Sequence, residues 1–256
     1  MLTHLSLFSG IGGIDLAAEW AGFKTICFVE KDKYCQKVLR KHWFNVPIIE
    51  DVHDVKGEQF KNITLISGGF PCQPFSKAGK QEGEKDYRYL WHEMFRVICE
   101  TQPKWVVAEN VVGILDMGIK RTISELENFG YETTIYCLPA CAVNAPHRRD
   151  RIFIIAYTNN HEWNKTKNKI PYEEIKFQQA ENDFKDRGDR HSRFKQIYYS
   201  PWRNHWNTIR IATRLCGMDD GIPDRMDRIK RLGNAVVPQQ IYPILKGIAD
   251  IEMSIE

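Results

Sequence analysis

The stretch Leu2-Thr-His-Leu-Ser-Leu-Phe-Ser-Gly-Ile-Gly-Gly13 decides how the chain folds, because it joins three structural signals without a gap. Residues 2–8 are apolar enough to predict a buried strand, and residues 14–21 have the apolar spacing of a helix that Gly22 ends. The glycines between them let the backbone turn tightly and approach a ligand closely. A strand, a glycine-rich turn and a helix in this order predict the ligand-binding edge of an α/β sheet.

Alternating strands and helices continue along the first 156 residues. Further strands are predicted at residues 25–30, 63–67, 105–109, 131–138 and 151–156. Further helices are predicted at residues 32–43, 87–101 and 239–253, the last with its first turn disturbed by Pro243. This alternation predicts the α/β class, with a doubly wound and mostly parallel sheet that the last two strands close as a pair.

Composition bounds the class of protein. The chain has 256 residues, of which 43% are hydrophobic and 27% are charged, an ordinary globular balance for one or two domains. No apolar run reaches the about 18 residues of a membrane span, and no basic stretch precedes the apolar N-terminus, so a cytoplasmic protein is expected. The net charge of +3 is compatible with nucleic acid but does not argue for it alone.

Seven cysteines, at positions 27, 35, 72, 99, 137, 141 and 216, form no even disulfide framework, so reduced thiols are expected. Cys137 and Cys141 lie four residues apart, but no second pair with zinc-binding spacing accompanies them. We therefore expect no metal site.

The composition shifts between residues 158 and 206, where the chain becomes polar and loses its hydrophobic periodicity. This segment holds ten Lys or Arg residues and seven Asp or Glu residues. Two interpretations stay open: a solvated or partly disordered insertion, or a small recognition region. Residues 1–157 plus 207–256 are then expected to form one catalytic domain.

Two carboxylates follow predicted strands near the glycine loop. Glu30 ends the second strand, 20 residues after Gly10, where a carboxylate can accept both hydroxyls of a ribose. Asp51 follows the apolar pair Ile48 and Ile49, where it could accept from an adenine amine. The alternative for each is an ordinary surface carboxylate. The glycine spacing is not that of a dinucleotide fingerprint, so an adenosine-containing ligand other than NAD is favoured.

A cysteine flanked by prolines follows the strand predicted at residues 63–67, in the run Gly68-Gly-Phe-Pro-Cys-Gln-Pro-Phe-Ser76. The prolines stiffen the loop and present Cys72 at the carboxyl edge of the sheet, where ligands bind. The alternative is a buried structural cysteine, which the preceding glycines and the missing helix or strand pattern disfavour. Glu109 ends another strand at the same edge, where burial would raise its carboxyl pKa toward neutrality.

Cys72 and Glu109 together suit one class of substrate. A pyrimidine ring needs a nucleophile at C6 and an acid at N3 before C5 becomes carbanion-like. A thiol is nucleophilic near neutral pH, and a carboxyl with a raised pKa can donate a proton there. The pair therefore indicates covalent chemistry on a pyrimidine base.

Five motifs make the chain similar to the DNA (cytosine-5-)-methyltransferase family, in its small prokaryotic or phage form. Phe8-Ser-Gly-Ile-Gly-Gly13 resembles the family's S-adenosylmethionine loop, and Gly69-Phe-Pro-Cys-Gln-Pro-Phe-Ser76 resembles its nucleophile loop. Glu109-Asn-Val111 resembles the Glu-Asn-Val motif, Arg149-Asp-Arg151 the Gln-x-Arg-x-Arg strand, and Gly233-Asn-Ala-Val-Val-Pro238 the last motif. The motifs come in family order and span nearly the whole chain outside residues 158–206.

The resemblance implies a fold, a cofactor and a substrate. The fold would be a Rossmann-like S-adenosylmethionine-dependent methyltransferase sheet with a small inserted recognition domain at residues 158–206. The cofactor would be S-adenosyl-L-methionine, and the substrate a cytosine flipped out of double-stranded DNA. A monomer is expected, with a restriction endonuclease of the same specificity as a possible companion.

The resemblance also assigns roles to single residues. Cys72 would attack cytosine C6, and Glu109 would bind N3 and the amino group. Arg151 would contact the base O2, and Arg149 would help to hold the nucleophile loop and the phosphate side. The cofactor pocket would be lined by Phe8, Ser9, Gly10, Ile11, Gly13, Glu30, Lys31, Asp51, Val52, Pro71, Leu90, Asn234, Ala235 and Val236. DNA would be contacted by Gln73, Ser76, Arg187, Arg190, Arg193 and Lys195.

Three departures from the family pattern stand out. Ser6 replaces the usual Asp before Leu-Phe, which would loosen the anchoring of the cofactor loop. His147 replaces the Gln of Gln-x-Arg-x-Arg, which puts one contact to the nucleophile loop in doubt. The recognition segment is also shorter than is usual in the family.

Two other functions are kept beside DNA methylation. One branch of the family methylates structured RNA by the same chemistry, although Phe75-Ser76 and the basic insertion favour DNA. An inactive relative that only binds a partner is the other alternative. Retention of Cys72, Glu109 and both arginines speaks against it.

Overall fold

Seven strands and six helices form the part of the chain that the structure, a computed structural model, describes: residues 1–71, 90–145, 147–158 and 234–255. The strands are β1 (Thr3–Leu7), β2 (Lys24–Val29), β3 (Ile48–Ile49), β4 (Leu65–Gly68), β5 (Trp105–Val111), β6 (Glu132–Leu138) and β7 (Arg151–Tyr157). The helices are α1 (Gly13–Trp20), α2 (Lys33–His42), α3 (Trp91–Thr101), α4 (Ile114–Met117), α5 (Ile119–Asn128) and α6 (Pro238–Ile255). Three short 3₁₀ turns, Val52–Asp54, Gly57–Phe60 and Ala140–Val143, lie between them.

All seven strands form one sheet in the order β3-β2-β1-β4-β5-β7-β6. The first five strands in this order pair in parallel, whereas β7 runs antiparallel to both β5 and β6. The predicted α/β class, the mostly parallel sheet and the closing strand pair are therefore confirmed. Because β1, β2, β4 and β5 are parallel, the residues that follow them meet at one edge of the sheet, where ligands bind in such folds.

Apolar side chains cover both faces of the sheet, so each strand is buried on two sides. Ile66 and Val106 face the core that contains α3 and α5, while Leu65 and Val107 face the core that contains α1 and α6. Successive residues of a strand point to opposite faces, which is why neighbouring positions of β4 and β5 are both apolar. The sheet is thus held between two helical layers.

The sequence pattern placed the elements correctly to within a few residues but missed two helices. No element was assigned between residues 109 and 131, where the structure has α4 and α5. Ile119, Ile123 and Leu126 are buried, and their spacing of four and three residues is the helical signal that could have revealed α5. Pro243 was expected to disturb the first turn of the last helix. It lies inside α6, and the helix continues through it to Ile255. The boundary predicted at residue 207 lies outside the described residues.

No helix among the described residues has both the length and the apolar character needed to cross a membrane.

Gln240, in the first turn of α6, fastens the segment between β6 and β7. Its buried side-chain amide donates to the carbonyl oxygen of Leu138 and to that of Arg149, the latter at 3.0 Å. The backbone of Arg149 has a positive φ of 39°, a conformation that costs free energy for any residue other than glycine. One amide therefore holds both ends of this segment and supports a strained backbone position.

We expect Gln240→Met to lower the free energy of unfolding by about 1–3 kcal/mol, because two buried carbonyls lose their donor. Urea unfolding of the purified protein measures the difference. Gln239→Met is the matched control, since Gln239 is only half-buried and adjacent in the same helix turn. Equal unfolding midpoints for the two variants would contradict the stabilising role of the Gln240 side chain.

Candidate active site

The glycine loop between β1 and α1 is held tightly by its surroundings. Gly10 and Gly12 have positive φ angles of 57° and 88°. A Cβ added at Gly12 would lie 2.6 Å from the Trp43 ring, and one at Gly13 would lie 2.5 Å from the carbonyl oxygen of Val236. Glycine is therefore required at both positions, by backbone conformation at the first and by close backbone approach at the second.

Ser6 contributes a side-chain anchor to this loop. Its hydroxyl donates to Ser9 Oγ at 2.9 Å, and Ser9 Oγ lies 3.2 Å from the carbonyl oxygen of Ser6. The backbone amide of Ser9 also donates to the carbonyl oxygen of Val29 at 3.2 Å. The serine that replaces the family's Asp thus keeps the loop attached to β1, in contrast to the expected loosening.

Asp15 lies under the same loop and was missed in the sequence. It is fully buried, and within the described part of the chain neither carboxylate oxygen has a hydrogen-bond partner. Burial raises the pKa of Asp15 to about 7, with the nearby Ser6 hydroxyl acting in the opposite direction. The buried His4 ring lies 3.8 Å from Asp15, and burial lowers its pKa to about 3. With a pKa of about 7, the Asp15 carboxyl beside the cofactor loop can be neutral or ionised near neutral pH.

Glu30 connects the glycine loop to the start of α2. Its Oε2 atom accepts from the backbone amide of Gly10, and its Oε1 atom accepts from that of Asp32, both at 2.7 Å. Asp32 in turn caps α2 by accepting from the amides of Tyr34 and Cys35. The carboxylate predicted to bind a ribose therefore also fixes the shape of the loop beside it.

Asp51 is held as an acceptor at the end of β3. His53 donates to its Oδ1 from Nδ1 at 2.6 Å, and Lys31 donates to its Oδ2 at 2.9 Å. The hydrogen bond from His53, followed by that from Lys31, keeps the pKa of the Asp51 carboxyl well below its usual range. A permanently ionised acceptor at this position suits an exocyclic amine.

A single cavity of about 670 Å³ lies at this edge of the sheet, a volume typical of sites for small ligands. Glu109 and Gly69 are among the residues that line it. Its wall also contains all fourteen residues predicted to bind the cofactor: Phe8, Ser9, Gly10, Ile11, Gly13, Glu30, Lys31, Asp51, Val52, Pro71, Leu90, Asn234, Ala235 and Val236. The structure brings them together from six separate segments of the chain.

Glu109 lies buried near the end of β5 against an arginine. Its Oε1 atom is 2.9 Å from Arg151 Nε. Burial raises the pKa of the Glu109 carboxyl to about 7, while the charges of Arg151 and Arg149 act in the opposite direction. The carboxyl can therefore exist in both protonation states near neutral pH, as a proton donor requires.

The chain that leads to Cys72 enters beside Glu109. A Cβ at Gly69 would lie 2.8 Å from Glu109 Oε2, so a side chain at this position would displace the carboxyl. Asn110, the next residue of β5, donates to the carbonyl oxygen of Phe70 at 3.1 Å. These contacts direct the backbone just before Cys72 toward Glu109. Cys72, Gln73 and Ser76 themselves lie outside the described residues.

The two arginines contact Glu109 and the segment before α6, and the roles that the resemblance assigns to them stay predictions. Arg151 points to Glu109, and Arg149 Nη2 donates to the carbonyl oxygen of Ala235 at 2.5 Å. Burial, followed by the charge of Arg151, lowers the pKa of Arg149. Arg149 thus joins β7 to the segment before α6, and His147 nearby is exposed. The predicted DNA contacts Arg187, Arg190, Arg193 and Lys195 lie outside the described residues.

Curated relatives of this chain include bacterial type II methyltransferases. M.PspPI of Psychrobacter sp. (strain TA137) is 42% identical over 163 residues, which cover 59% of this chain and 38% of the relative. M.Eco47II of Escherichia coli is 37% identical over 66% of this chain and 44% of the relative. M.HhaI of Haemophilus parahaemolyticus is 34% identical over 62% of this chain and 50% of the relative. This chain therefore spans about half the length of these relatives, or less.

Solved structures share the fold. A candidate DNA modification methyltransferase encoded within an Escherichia coli prophage superposes with a TM-score of 0.54 at 29% identity, over 62% of this chain and 47% of that one. DNMT2 of Spodoptera frugiperda superposes with a TM-score of 0.54 at 21% identity, over 63% of this chain and 51% of that one, which shows the fold alone.

The family model for C-5 cytosine-specific DNA methylases matches residues 2–210, well over half of the chain. This match covers the glycine loop, the Gly69–Pro71 approach, Glu109 and both arginines, all of which the structure gathers around one cavity. The chain therefore belongs to the C-5 cytosine-specific DNA methylase family.

Proposed function

We propose that this chain transfers a methyl group from S-adenosyl-L-methionine to carbon 5 of a cytosine in double-stranded DNA. One observation carries the proposal: the same cavity is lined by Glu30 and Asp51 and also by Glu109 and Gly69. An adenosine group held by Glu30 and Asp51 would leave the rest of the cofactor in the same cavity as Glu109. The methyl group of the cofactor and the cytosine that receives it would then meet where the chain continues to Cys72.

The wall of the cavity suits S-adenosylmethionine, the methyl donor of this family. Gly10 has no atom within 4 Å of the position that a Cβ would take, which leaves room for a ligand against the loop. Glu30 and Asp51 offer the carboxylate oxygens that ribose hydroxyls and an adenine amine need. When bound, the cofactor supplies an electrophilic methyl group on its sulfonium.

The protein's own groups carry the remaining chemistry. Cys72, as its thiolate, forms a bond to cytosine C6, and Glu109 donates a proton to N3, so that electron density moves to C5. C5, made nucleophilic in this way, would accept the methyl group that the bound cofactor would supply. A base then removes the C5 proton, N3 gives its proton back, and elimination releases Cys72. The ring carbons are reachable only if the cytosine is flipped out of the duplex.

Arg151 has a defined part in this scheme. Its guanidinium neutralises Glu109 when the carboxyl is ionised, which prevents burial from raising the pKa still further. A pKa of about 7 allows Glu109 both to donate to N3 and to recover the proton later. We propose that residues 158–206 supply the DNA contacts, in a monomer for which a restriction endonuclease of the same specificity is a possible companion.

Replacing Cys72 by Ser is expected to lower methyl transfer by roughly three orders of magnitude or more, because the hydroxyl is far less ionised than the thiol. Transfer of tritiated methyl groups to duplex DNA measures the loss, and calorimetry should show that cofactor affinity persists. Cys141→Ser is the control, since Cys141 is an exposed thiol in another segment.

Duplex DNA containing 5-fluorocytosine should trap a covalent complex with the wild-type protein and none with Cys72→Ser. Unchanged turnover in the serine variant would refute the nucleophile. Methylation of transfer RNA and not of DNA would show that the chemistry is correct but that the substrate is RNA. No methylation of either nucleic acid would support an inactive relative.

The rate of methyl transfer should fall above about pH 7, because Glu109 then loses the proton that it donates and its pKa lies at about 7. Glu109→Gln should lower the rate by about 100-fold or more and remove this descending limb, since the amide does not titrate. Glu58→Gln, at an exposed carboxylate, is the control. A descending limb that survives in Glu109→Gln would assign it to another group.

Glu30→Ala should weaken cofactor binding by roughly 10-fold or more, because charge-assisted hydrogen bonds to the ribose and to the Gly10 amide are both lost. Calorimetric titration with S-adenosylmethionine measures it, and gel-shift affinity for DNA should change much less. Glu58→Ala serves as the matched control. An unaltered cofactor affinity would overturn the role of Glu30.

A further inference from the structure

We propose that His53, His92 and Glu93 form a binding site for a divalent transition metal ion at the rim of the cofactor cavity. The three side chains come from the 3₁₀ turn Val52–Asp54 and from the start of α3, and their ligand atoms all lie within 4.8 Å of one another. Both histidines line the cavity, but neither has a part in the proposed methyl transfer. The site is therefore distinct from that chemistry.

The distances are close to those of a bound site. Glu93 Oε1 lies 3.9 Å from His53 Nε2 and 3.7 Å from His92 Nε2. Ligand atoms around a tetrahedral zinc ion lie about 3.3 Å apart, so shifts of roughly 1 Å or less would complete three of the four positions. The exposed fractions of the histidine side chains, 56% and 44%, leave access for an ion and for a water molecule as the fourth ligand.

His53 is already oriented as a ligand by Asp51. Asp51 Oδ1 lies 2.6 Å from His53 Nδ1, and because a carboxylate accepts, the proton of this hydrogen bond is on the ring nitrogen. The neutral ring then carries its lone pair on Nε2, the atom that faces Glu93. A carboxylate that orients a histidine in this way is the usual outer partner of a metal-binding imidazole, and it raises the basicity of the ligand.

Glu93 is oriented in the same manner by Arg96. The guanidinium Nε lies 2.8 Å from Glu93 Oε2, while Oε1 is directed to the two histidines. Arg96 is itself fixed by hydrogen bonds to the carbonyl oxygens of Val52 and Val55. His53 and Glu93 are thus each oriented by a neighbouring side chain, Asp51 and Arg96, that leaves the metal-binding atom facing the other ligands. A chance cluster on the surface would not need such partners.

Two imidazoles and one carboxylate select the kind of ion. Nitrogen ligands suit Zn²⁺, Co²⁺, Ni²⁺ and Cu²⁺, whereas Mg²⁺ and Ca²⁺ prefer oxygen alone. A bound ion would join the 3₁₀ turn that follows Asp51 to the helix that follows Leu90. Those two elements carry one wall of the cavity, so the ion would act as a clip on that wall.

Calorimetric titration of the full chain with ZnCl₂ tests the site, together with the visible absorption of the Co²⁺ complex, which distinguishes nitrogen and oxygen ligands from thiolates. We expect one Zn²⁺ per chain and a rise in the thermal midpoint. His53→Ala, His92→Ala and Glu93→Gln should each weaken binding by at least about 10-fold. His42→Ala, at an exposed histidine outside the cluster, should leave the affinity unchanged.

Asp51→Asn is the most discriminating variant for the metal site, because it keeps all three ligands and removes the carboxylate that orients His53. We expect it to weaken Zn²⁺ binding by roughly 10-fold. Affinity that is unchanged in His53→Ala and His92→Ala, or a cobalt spectrum dominated by thiolate bands, would overturn the proposal. Neither result would bear on the methyl transfer, which is measured separately.

Discussion

The contact of residues 234–236 with two other segments is the constraint on which the rest of the site depends. On one side, the carbonyl oxygen of Val236 lies where a side chain at Gly13 would be. On the other, the carbonyl oxygen of Ala235 accepts from the Arg149 guanidinium. The backbone before α6 therefore closes the cofactor cavity and connects it to the segment that leads into β7. Gln240 strengthens this connection by holding the Arg149 backbone from the first turn of the same helix.

The end of β5 shows how the fold sets the chemistry of one carboxyl group. A buried glutamate alone would remain protonated well above neutral pH, and a glutamate paired with an exposed arginine would remain ionised. Glu109 is buried and paired at once, and its pKa of about 7 results from the two opposing effects. The antiparallel pairing of β5 with β7 produces this balance, because it places Arg151 opposite Val111 and within reach of Glu109.

Most of the fold could be predicted from the sequence, because strands buried on both faces appear as short apolar runs separated by turn residues. The residues that line the cavity could also be predicted from the sequence, since their motifs place carboxylates and glycines at the ends of successive strands. Helix α5 was missed because its apolar positions alternate with charged ones between two stronger strand signals. Asp15, Gln240 and the His53–His92–Glu93 cluster could not be predicted, because their importance arises only from burial or from contacts between segments distant in the sequence.

The closure of the cavity by residues 234–236 has a consequence for the order in which the protein becomes functional during synthesis. The loop, Glu30 and Asp51 leave the ribosome long before the segment that covers them. Contacts between such distant segments form late in folding, since a long loop must first be closed. A nascent chain that already has most of its sheet would therefore still hold an open groove in place of a cofactor site. The cofactor cavity would be completed in one step, when α6 packs onto the sheet, and not gradually as the chain grows.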